Sequence, residues 1–262
     1  MPIYIGTSGY VYDDWQGPFY PTDLPRERWL EYYSQQFSIV EVNLTFYRLP
    51  ASPVFRHWAG RTPQDFQFVL KGSRQITHLK RLDNCHEELA VFFERASELG
   101  DKLRTVLWQL PPKFSHDPDL LELFLAEVER VQVVFGRFRQ AFEFRDISWF
   151  HEEVYEILAR FGVAVVLADW PFAASVQEVL FRSQDDDIRP RIVVPLTADF
   201  LYVRCHGPAT PTGSAYTPDD INYLANALRP PLVGKDGYIF FRNKTNAYAV
   251  QNAQGLKAAL EA

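Results

Sequence analysis

The sequence is poor in the residues that build disulfide or zinc scaffolds. It has only two cysteines, Cys85 and Cys205, and they form neither a disulfide framework nor a zinc-type spacing. No apolar run approaches the roughly 18 residues that span a bilayer. No charged N-terminus leads into an apolar segment. We therefore expect no membrane association, and a cytoplasmic location.

Two further absences narrow the function. The net charge is −6, so positive charge is not in excess and we expect no broad nucleic-acid surface. The Gly-x-Gly-x-x-Gly turn of dinucleotide-binding folds does not follow the first apolar run. What the sequence does have is 47% hydrophobic residues over 262 positions, enough for one large core. The expectation is a single domain, 1–262.

Eight short β-rich runs alternate with helical patterns, which predicts parallel strands joined by right-handed crossovers. The predicted strands are Ile3–Ser8, Ile39–Phe46, Phe66–Lys71, Thr105–Leu110, Gln140–Arg145, Val163–Asp169, Phe200–His206 and Tyr238–Asn243. The predicted helices are Arg26–Gln36, Cys85–Leu99, Pro118–Val131, Glu152–Phe161, one beginning at Thr217, and Asn246–Leu260. Eight such units predict a closed (β/α)8 TIM-type barrel. Within Pro171–Ala198 the helical pattern is poor, so an irregular segment is expected between strands 6 and 7.

Most of these runs begin apolar and end polar. Because the C-terminal ends of barrel strands meet at one mouth, side chains far apart in sequence are expected to converge there. The period of two places Glu41, Asn43 and Thr45 on one face, Glu143 with Arg145, and Arg204 with His206. The other predicted mouth residues are Lys71, Gln109, Asp169 and Asn243.

Their chemistry suggests roles. Lys71, Arg145 and Arg204 are expected to grip a phosphate or carboxylate group. Glu41 and Glu143 are candidates for acid–base catalysis, with carboxylate pKa values raised by burial and like charge. Asp169 is a further catalytic candidate, and His206 is a second proton carrier.

Other residues are expected to bind substrate. Asn43 and Gln109 would fix hydroxyl or carbonyl groups, Asn243 joins them at the last strand, and Tyr47 and Trp149 would offer stacking surfaces. No metal site is predicted. A divalent ion on Glu41, Glu143, Asp169 and His206 is a minority alternative, because the nearby cations would compete for the same oxygens.

The chain closely resembles the YecE-like family, known as domain of unknown function 72. The residues that carry the resemblance are Ile5–Tyr10 with Trp15, Glu41–Tyr47, Lys71 with Thr77 and His78, Gln109–Phe114, Glu143–Trp149, Ala168–Asp169, Tyr202–Gly207, and Asn243 with Asn252 and Ala253. The resemblance implies a TIM-type barrel and supplies no activity. This chain departs from the family pattern at Tyr10, where tryptophan is common, and at Arg242–Asn243, where two asparagines are usual.

Three functions remain open from the sequence. The leading hypothesis is a small-molecule enzyme (a hydrolase, lyase or isomerase) acting by acid–base chemistry on an anionic or sugar-like substrate. The second is a metal-dependent phosphodiesterase or sugar isomerase. The third is a non-catalytic ligand-binding or interaction protein. The sequence sets no oligomeric state and no organic cofactor.

Overall fold

The computed structural model describes residues 1–169, 181–184, 187–192, 194–207 and 215–262. Eight parallel strands close into a barrel, in the order β1-β10-β9-β6-β5-β4-β3-β2. The barrel strands are β1 Ile3–Ser8, β2 Ile39–Val42, β3 Gln67–Lys71, β4 Leu103–Gln109, β5 Arg139–Glu143, β6 Ala164–Asp169, β9 Phe200–Cys205 and β10 Asp236–Phe241. The predicted TIM-type barrel is confirmed.

The second strand is shorter than predicted. It ends at Val42, and Asn43 turns the backbone into the right-handed helical region (φ −88°, ψ −14°). A single helical turn, α2 (Leu44–Tyr47), follows. Thr45 donates to the Lys71 carbonyl at 2.7 Å, which fixes the turn against β3. The prediction that Ile39–Phe46 is one strand is therefore wrong beyond Val42, and Thr45 does not share a strand face with Glu41.

The helices cover the outside of the barrel. Their bounds are α1 Trp29–Gln36, α3 Ser52–Gly60, α4 His86–Ala96, α5 Pro118–Phe135, α6 Glu152–Arg160, α7 Pro218–Leu232 and α8 Tyr248–Glu261. The predicted cap at Thr217 is confirmed, because its hydroxyl accepts from the Asp220 N–H at 3.2 Å. Helix α3, which has only nine residues, is missing from the sequence-based prediction.

The stretch between β6 and β9 contains a small ribbon. Strand β7 (Phe181–Gln184) pairs antiparallel with β8 (Asp187–Ile192). The expected irregular insertion thus contains paired strands. Within the described ranges, no helix is long and apolar enough to cross a membrane.

The barrel interior decides which strand-end side chains reach the mouth. Alternate residues pack inside the barrel, among them Leu107, Ala141 and Phe240. The residues between them, such as Leu167 and Phe241, pack outward under the helices. Continuing this alternation sends Gln109, Glu143 and Arg242 into the mouth, whereas Asp169 and Asn243 fall on the outward face.

Candidate functional site

An arginine bridges two buried carboxylates at the top of the barrel. Arg204, on β9, donates from Nη2 to Glu41 Oε1 at 2.7 Å and from Nη1 to Glu143 Oε2. All three side chains are buried, with exposed fractions of 0%, 0% and 1%. Arg204 is suited to this position because its planar fork reaches both acids at once.

Neutral donors complete the coordination of Glu41. The Tyr202 hydroxyl donates to Oε2 at 2.7 Å, and the Ser8 hydroxyl donates to Oε1. Asn43 in turn donates to the Ser8 hydroxyl oxygen at 2.7 Å. Both oxygens of Glu41 are therefore occupied by protein donors.

These contacts reverse the expected titration of the two acids. Burial alone would raise the pKa of Glu41 and of Glu143, but the charge and hydrogen bonds of Arg204 outweigh it. The pKa of Glu41 lies below its ordinary value, and that of Glu143 lies well below it. The prediction of raised carboxylate pKa values is wrong for this pair, which is ionised at neutral pH.

A second layer of polar contacts lies above the first. Arg145 donates from Nε to Glu143 Oε1 at 2.9 Å and from Nη2 to Gln109 Oε1 at 2.8 Å. Lys71 Nζ donates to the same Gln109 oxygen at 2.8 Å. Gln109 therefore holds two cations next to each other. The Lys71 ammonium position also lies 3.9 Å from the centre of the Phe46 ring.

A cavity of about 400 Å³ opens onto this layer. Its lining includes four cationic side chains and an imidazole, and none of its described lining residues is a carboxylate: Phe46, Tyr47, Lys71, Arg74, His78, Gln109, Arg145 and Arg242. In the part of the chain that is described, Arg242 and Arg74 have no carboxylate within 4.0 Å. Among the described residues, positive charge in the cavity therefore exceeds the negative charge that pairs with it.

The excess charge shifts the titration of the cavity lining. Burial, helped by the neighbouring cations, lowers the pKa of Lys71 to about 7 and that of Arg242 to about 10. Burial and the charges of Lys71, Arg145 and Arg74 lower the pKa of His78 to about 4. All three shifts favour loss of positive charge, which is the response expected of cations that lack a counter-ion.

Two predicted mouth residues lie outside the barrel instead. Asp169 accepts from the Tyr216 hydroxyl and from the His206 backbone N–H, and burial raises its pKa to about 7. Asn243 donates to Asn252 Oδ1 of α8 at 2.7 Å, tethering that helix to the barrel.

The two predicted stacking residues also differ in setting. Trp149 is fully buried, donates to the Phe114 carbonyl and stacks on Phe144 with ring centres 4.9 Å apart. It packs the loop after β5 and does not line the cavity. Tyr47 does line the cavity and is 67% exposed.

His206 lies between the cavity and Asp169. Its Nδ1 is 3.8 Å from Asp169 Oδ1, and its side chain is 7% exposed. Burial, opposed by Glu143 and aided by the nearby arginines, lowers its pKa well below the ordinary value. A neutral imidazole at this position is a poor proton donor at neutral pH.

Four cavity residues had no role in the sequence analysis: Phe46, Arg74, His78 and Arg242. Arg242 is the most informative of them. The prediction placed Asn243 at the mouth, but the residue that lines the cavity there is Arg242, which directly precedes it in the chain. Its position after the strand, directly beside Asn243, was the available signal. Knowing which face of β10 points inward would have identified it.

The described residues do not form a divalent-metal site. No three of their His, Cys, Asp or Glu side chains converge as ligands. The oxygens of Glu41 and Glu143 already accept hydrogen bonds from Arg204, Arg145, Tyr202 and Ser8. Asp169 lies on the outward face, away from both glutamates. The residues present therefore do not fit the ion considered above.

Comparison with known proteins establishes the family. The model of the family described as "Protein of unknown function DUF72" matches residues 4–262, so the chain belongs to this family. The chain is 31% identical to the UPF0759 protein YunF of Bacillus subtilis (strain 168) over 160 residues, covering 59% of this chain and 54% of YunF. It is 35% identical to the UPF0759 protein YecE of Escherichia coli (strain K12) over 85 residues, covering 32% of this chain and 31% of YecE. The matched part thus spans about half or less of these curated relatives.

Solved structures of the same family share the barrel. A DUF72 family protein from Thermotoga maritima MSB8 superposes with a TM-score of 0.80 at 27% identity, covering 100% of both chains. One from Enterococcus faecalis V583 gives a TM-score of 0.73 at 20% identity, covering 100% of this chain and 98% of that one. Neither comparison assigns an activity.

Proposed function

We propose that the barrel mouth binds a small molecule carrying a phosphate or carboxylate group, and that the protein is an enzyme acting on it with Lys71 as the proton carrier. One observation carries the proposal: the 400 Å³ cavity has four cations in its described lining and no carboxylate. Burying unpaired charge is costly, and a bound anion would remove that cost.

The cations divide into two groups. Arg204 and Arg145 are neutralised by Glu41 and Glu143. Lys71, Arg242 and Arg74 carry the remaining positive charge. Arg242 offers a planar fork, which matches a phosphate or carboxylate in two-pronged contact.

Lys71 replaces the glutamates as the acid–base candidate. With a pKa of about 7 it exists in comparable amounts as amine and ammonium at neutral pH, as an efficient proton carrier requires. Glu41 and Glu143 stay ionised and hold Arg204 and Arg145 in place. They are positioning residues in this scheme.

The contacts support this proposal over the other two hypotheses. A metal-dependent reaction lacks a converging ligand set within the described residues. A non-catalytic binding protein would need the same anion site, but binding alone is served better by a permanently charged cation than by a lysine that titrates near neutrality.

Calorimetric titration with sulfate tests the binding step, since sulfate keeps a constant charge across the neutral range. We expect Arg242→Gln to weaken sulfate binding about ten-fold or more, as expected when a charge-assisted contact is lost. The matched control is Lys244→Gln, because Lys244 is exposed at the same end of the barrel outside the cavity. Affinity that is equal in wild type and Arg242→Gln would refute the proposed site.

The pH dependence tests the role of Lys71. Sulfate favours the ammonium form, so binding should take up a proton near pH 7 and weaken as the pH rises above the pKa of about 7. The Lys71→Met variant should bind sulfate more weakly, and its sulfate affinity should no longer change with pH near 7. A wild-type affinity that stays constant through the neutral range would contradict the assignment.

A further inference from the structure

We infer that the Lys71 amine forms an imine with the carbonyl group of a substrate that also carries an anionic group. The inference rests on the proposed function, since the anion site would hold the substrate. It adds a covalent step and a substrate class: oxo acids or phosphorylated carbonyl compounds.

The surroundings of Lys71 differ from those of a lysine that forms an ion pair. Its side chain is 5% exposed, and the neutral oxygen of Gln109 is its hydrogen-bond acceptor. In the described ranges no carboxylate lies within 4.0 Å of Nζ. Lys80 provides the contrast: it is paired with Glu88 at 2.7 Å, and that hydrogen bond raises the pKa of Lys80.

The position of Arg145 disfavours the ammonium form. Because Arg145 and Lys71 donate to the same oxygen of Gln109, a guanidinium and an ammonium would be held side by side. The face of the Phe46 ring attracts a cation and opposes this repulsion in part. Burial and the neighbouring cations still outweigh it, and the pKa of Lys71 is lowered from 10.5 to about 7.

An amine in this setting is a nucleophile in contact with the cavity. Its nitrogen lone pair attacks the carbonyl carbon and forms the C–N bond. The C–O bond then breaks, and the oxygen leaves as water with the two amine protons. No oxidant, reductant or further reactant is needed. The imine, once protonated, draws electrons from the neighbouring carbon and activates its bonds for cleavage or proton transfer.

Reductive trapping on the wild-type protein tests the step directly. The protein is incubated with glyoxylate and cyanoborohydride near neutral pH, and carboxymethylated lysines are located by peptide mass spectrometry. Lys244 is the internal control, since it is exposed at the same end of the barrel. We expect Lys71 to be labelled at least about ten-fold faster than Lys244, because Lys71 has a neutral hydrogen-bond acceptor, lines the cavity and has a pKa lowered to about 7.

A second reagent separates this inference from the proposed function. Formaldehyde with cyanoborohydride methylates reactive amines without an anionic group. Loss of the Arg242 charge raises the pKa of Lys71 and slows its reaction with both reagents. Arg242→Gln should therefore slow glyoxylate labelling of Lys71 by a clearly larger factor than its methylation. If sulfate binds but neither reagent prefers Lys71, the imine is refuted and the anion site stands. If Arg242→Gln slows both reactions by the same factor, the anionic substrate class is refuted.

Discussion

Removing the charge of Arg204 should lower the free energy of unfolding severely at neutral pH. It should also reverse the sign of part of the change in that free energy as the pH falls. The variant Arg204→Met keeps most of the side-chain volume. It leaves Glu41 and Glu143, which are 0% and 1% exposed, without their shared cation. Breaking a buried ion pair by removing one partner costs about 3–5 kcal/mol, and here two carboxylates lose it. We expect a loss at or above the upper end of that range, against a typical total of about 5–15 kcal/mol.

The sign of the pH dependence distinguishes this mechanism from simple loss of packing. In the wild type both carboxyl pKa values lie below their ordinary value of 4.5, so the unfolded state binds more protons as the pH falls. The stabilisation from this pair is therefore complete above the unfolded value and is lost as acid reaches the folded values. Without Arg204, Glu41 keeps only the neutral donors Ser8 and Tyr202, so burial dominates and raises its pKa above 4.5, whereas Glu143 keeps its pair with Arg145. The folded variant then takes up protons first, and mild acid stabilises it relative to neutral pH.

Urea unfolding of both proteins at neutral pH and at about pH 5 measures this directly. Arg145→Met is the matched control, because Arg145 contacts only Glu143 of the two acids and is itself 18% exposed. It should cost clearly less than Arg204→Met. The reasoning is refuted if Arg204→Met loses less than about 1 kcal/mol, or if the stability that it loses relative to the wild type is no smaller at about pH 5 than at neutral pH.

Three further outcomes follow from other parts of the structure. Gly72→Ala should cost about 1–3 kcal/mol in urea unfolding, because its new methyl group would overlap the Trp108 ring, and an unchanged midpoint would contradict that close approach. Asn243→Ala should cost about 0.5–1.5 kcal/mol, because Asn252 Oδ1 would keep only the longer hydrogen bond from the Tyr216 N–H at 3.3 Å, yet leave sulfate affinity unchanged; weakened sulfate binding would indicate that Asn243 faces the mouth. The pKa of Asp169 is raised from 3.8 to about 7, so its contribution to stability should fall as the pH rises between those values. Asp169→Asn should abolish that slope in urea unfolding, and an identical slope in both proteins would show that Asp169 is not its source.

How much of the mouth could be predicted depended on how clearly each strand shows its two faces. In the second strand, Glu41 stands between Val40 and Val42, so the polar face is evident and the prediction was sound. The sixth strand reads Ala164–Asp169 without alternation, because both its faces are buried in apolar surroundings. Nothing in such a run tells whether its last residue points inward. Asp169 was misplaced for that reason.

The last strand repeats the difficulty. Tyr238–Phe241 is apolar on both faces, and the polar pair Arg242–Asn243 follows it. Deciding which of the two residues enters the mouth requires knowing which face of β10 points into the barrel. Phe240 points inward, and Arg242, two positions later, lies on the same face. The titration of Glu41 was also beyond the sequence, since its pKa depends on a contact with Arg204, 163 positions away.

The charge balance of the mouth argues for a ligand rather than a structural plug. A plug is most stable when its charges cancel, and the charges of Glu41, Glu143, Arg204 and Arg145 already cancel one another. Adding Lys71 and Arg242 to them brings only cost, which the lowered pKa values of both residues express. Apolar side chains would close a barrel end at less expense. Under the proposed function, these four paired side chains form a rigid base that holds Lys71 and Arg242 toward the cavity, and a bound anion would supply the negative charge that balances them.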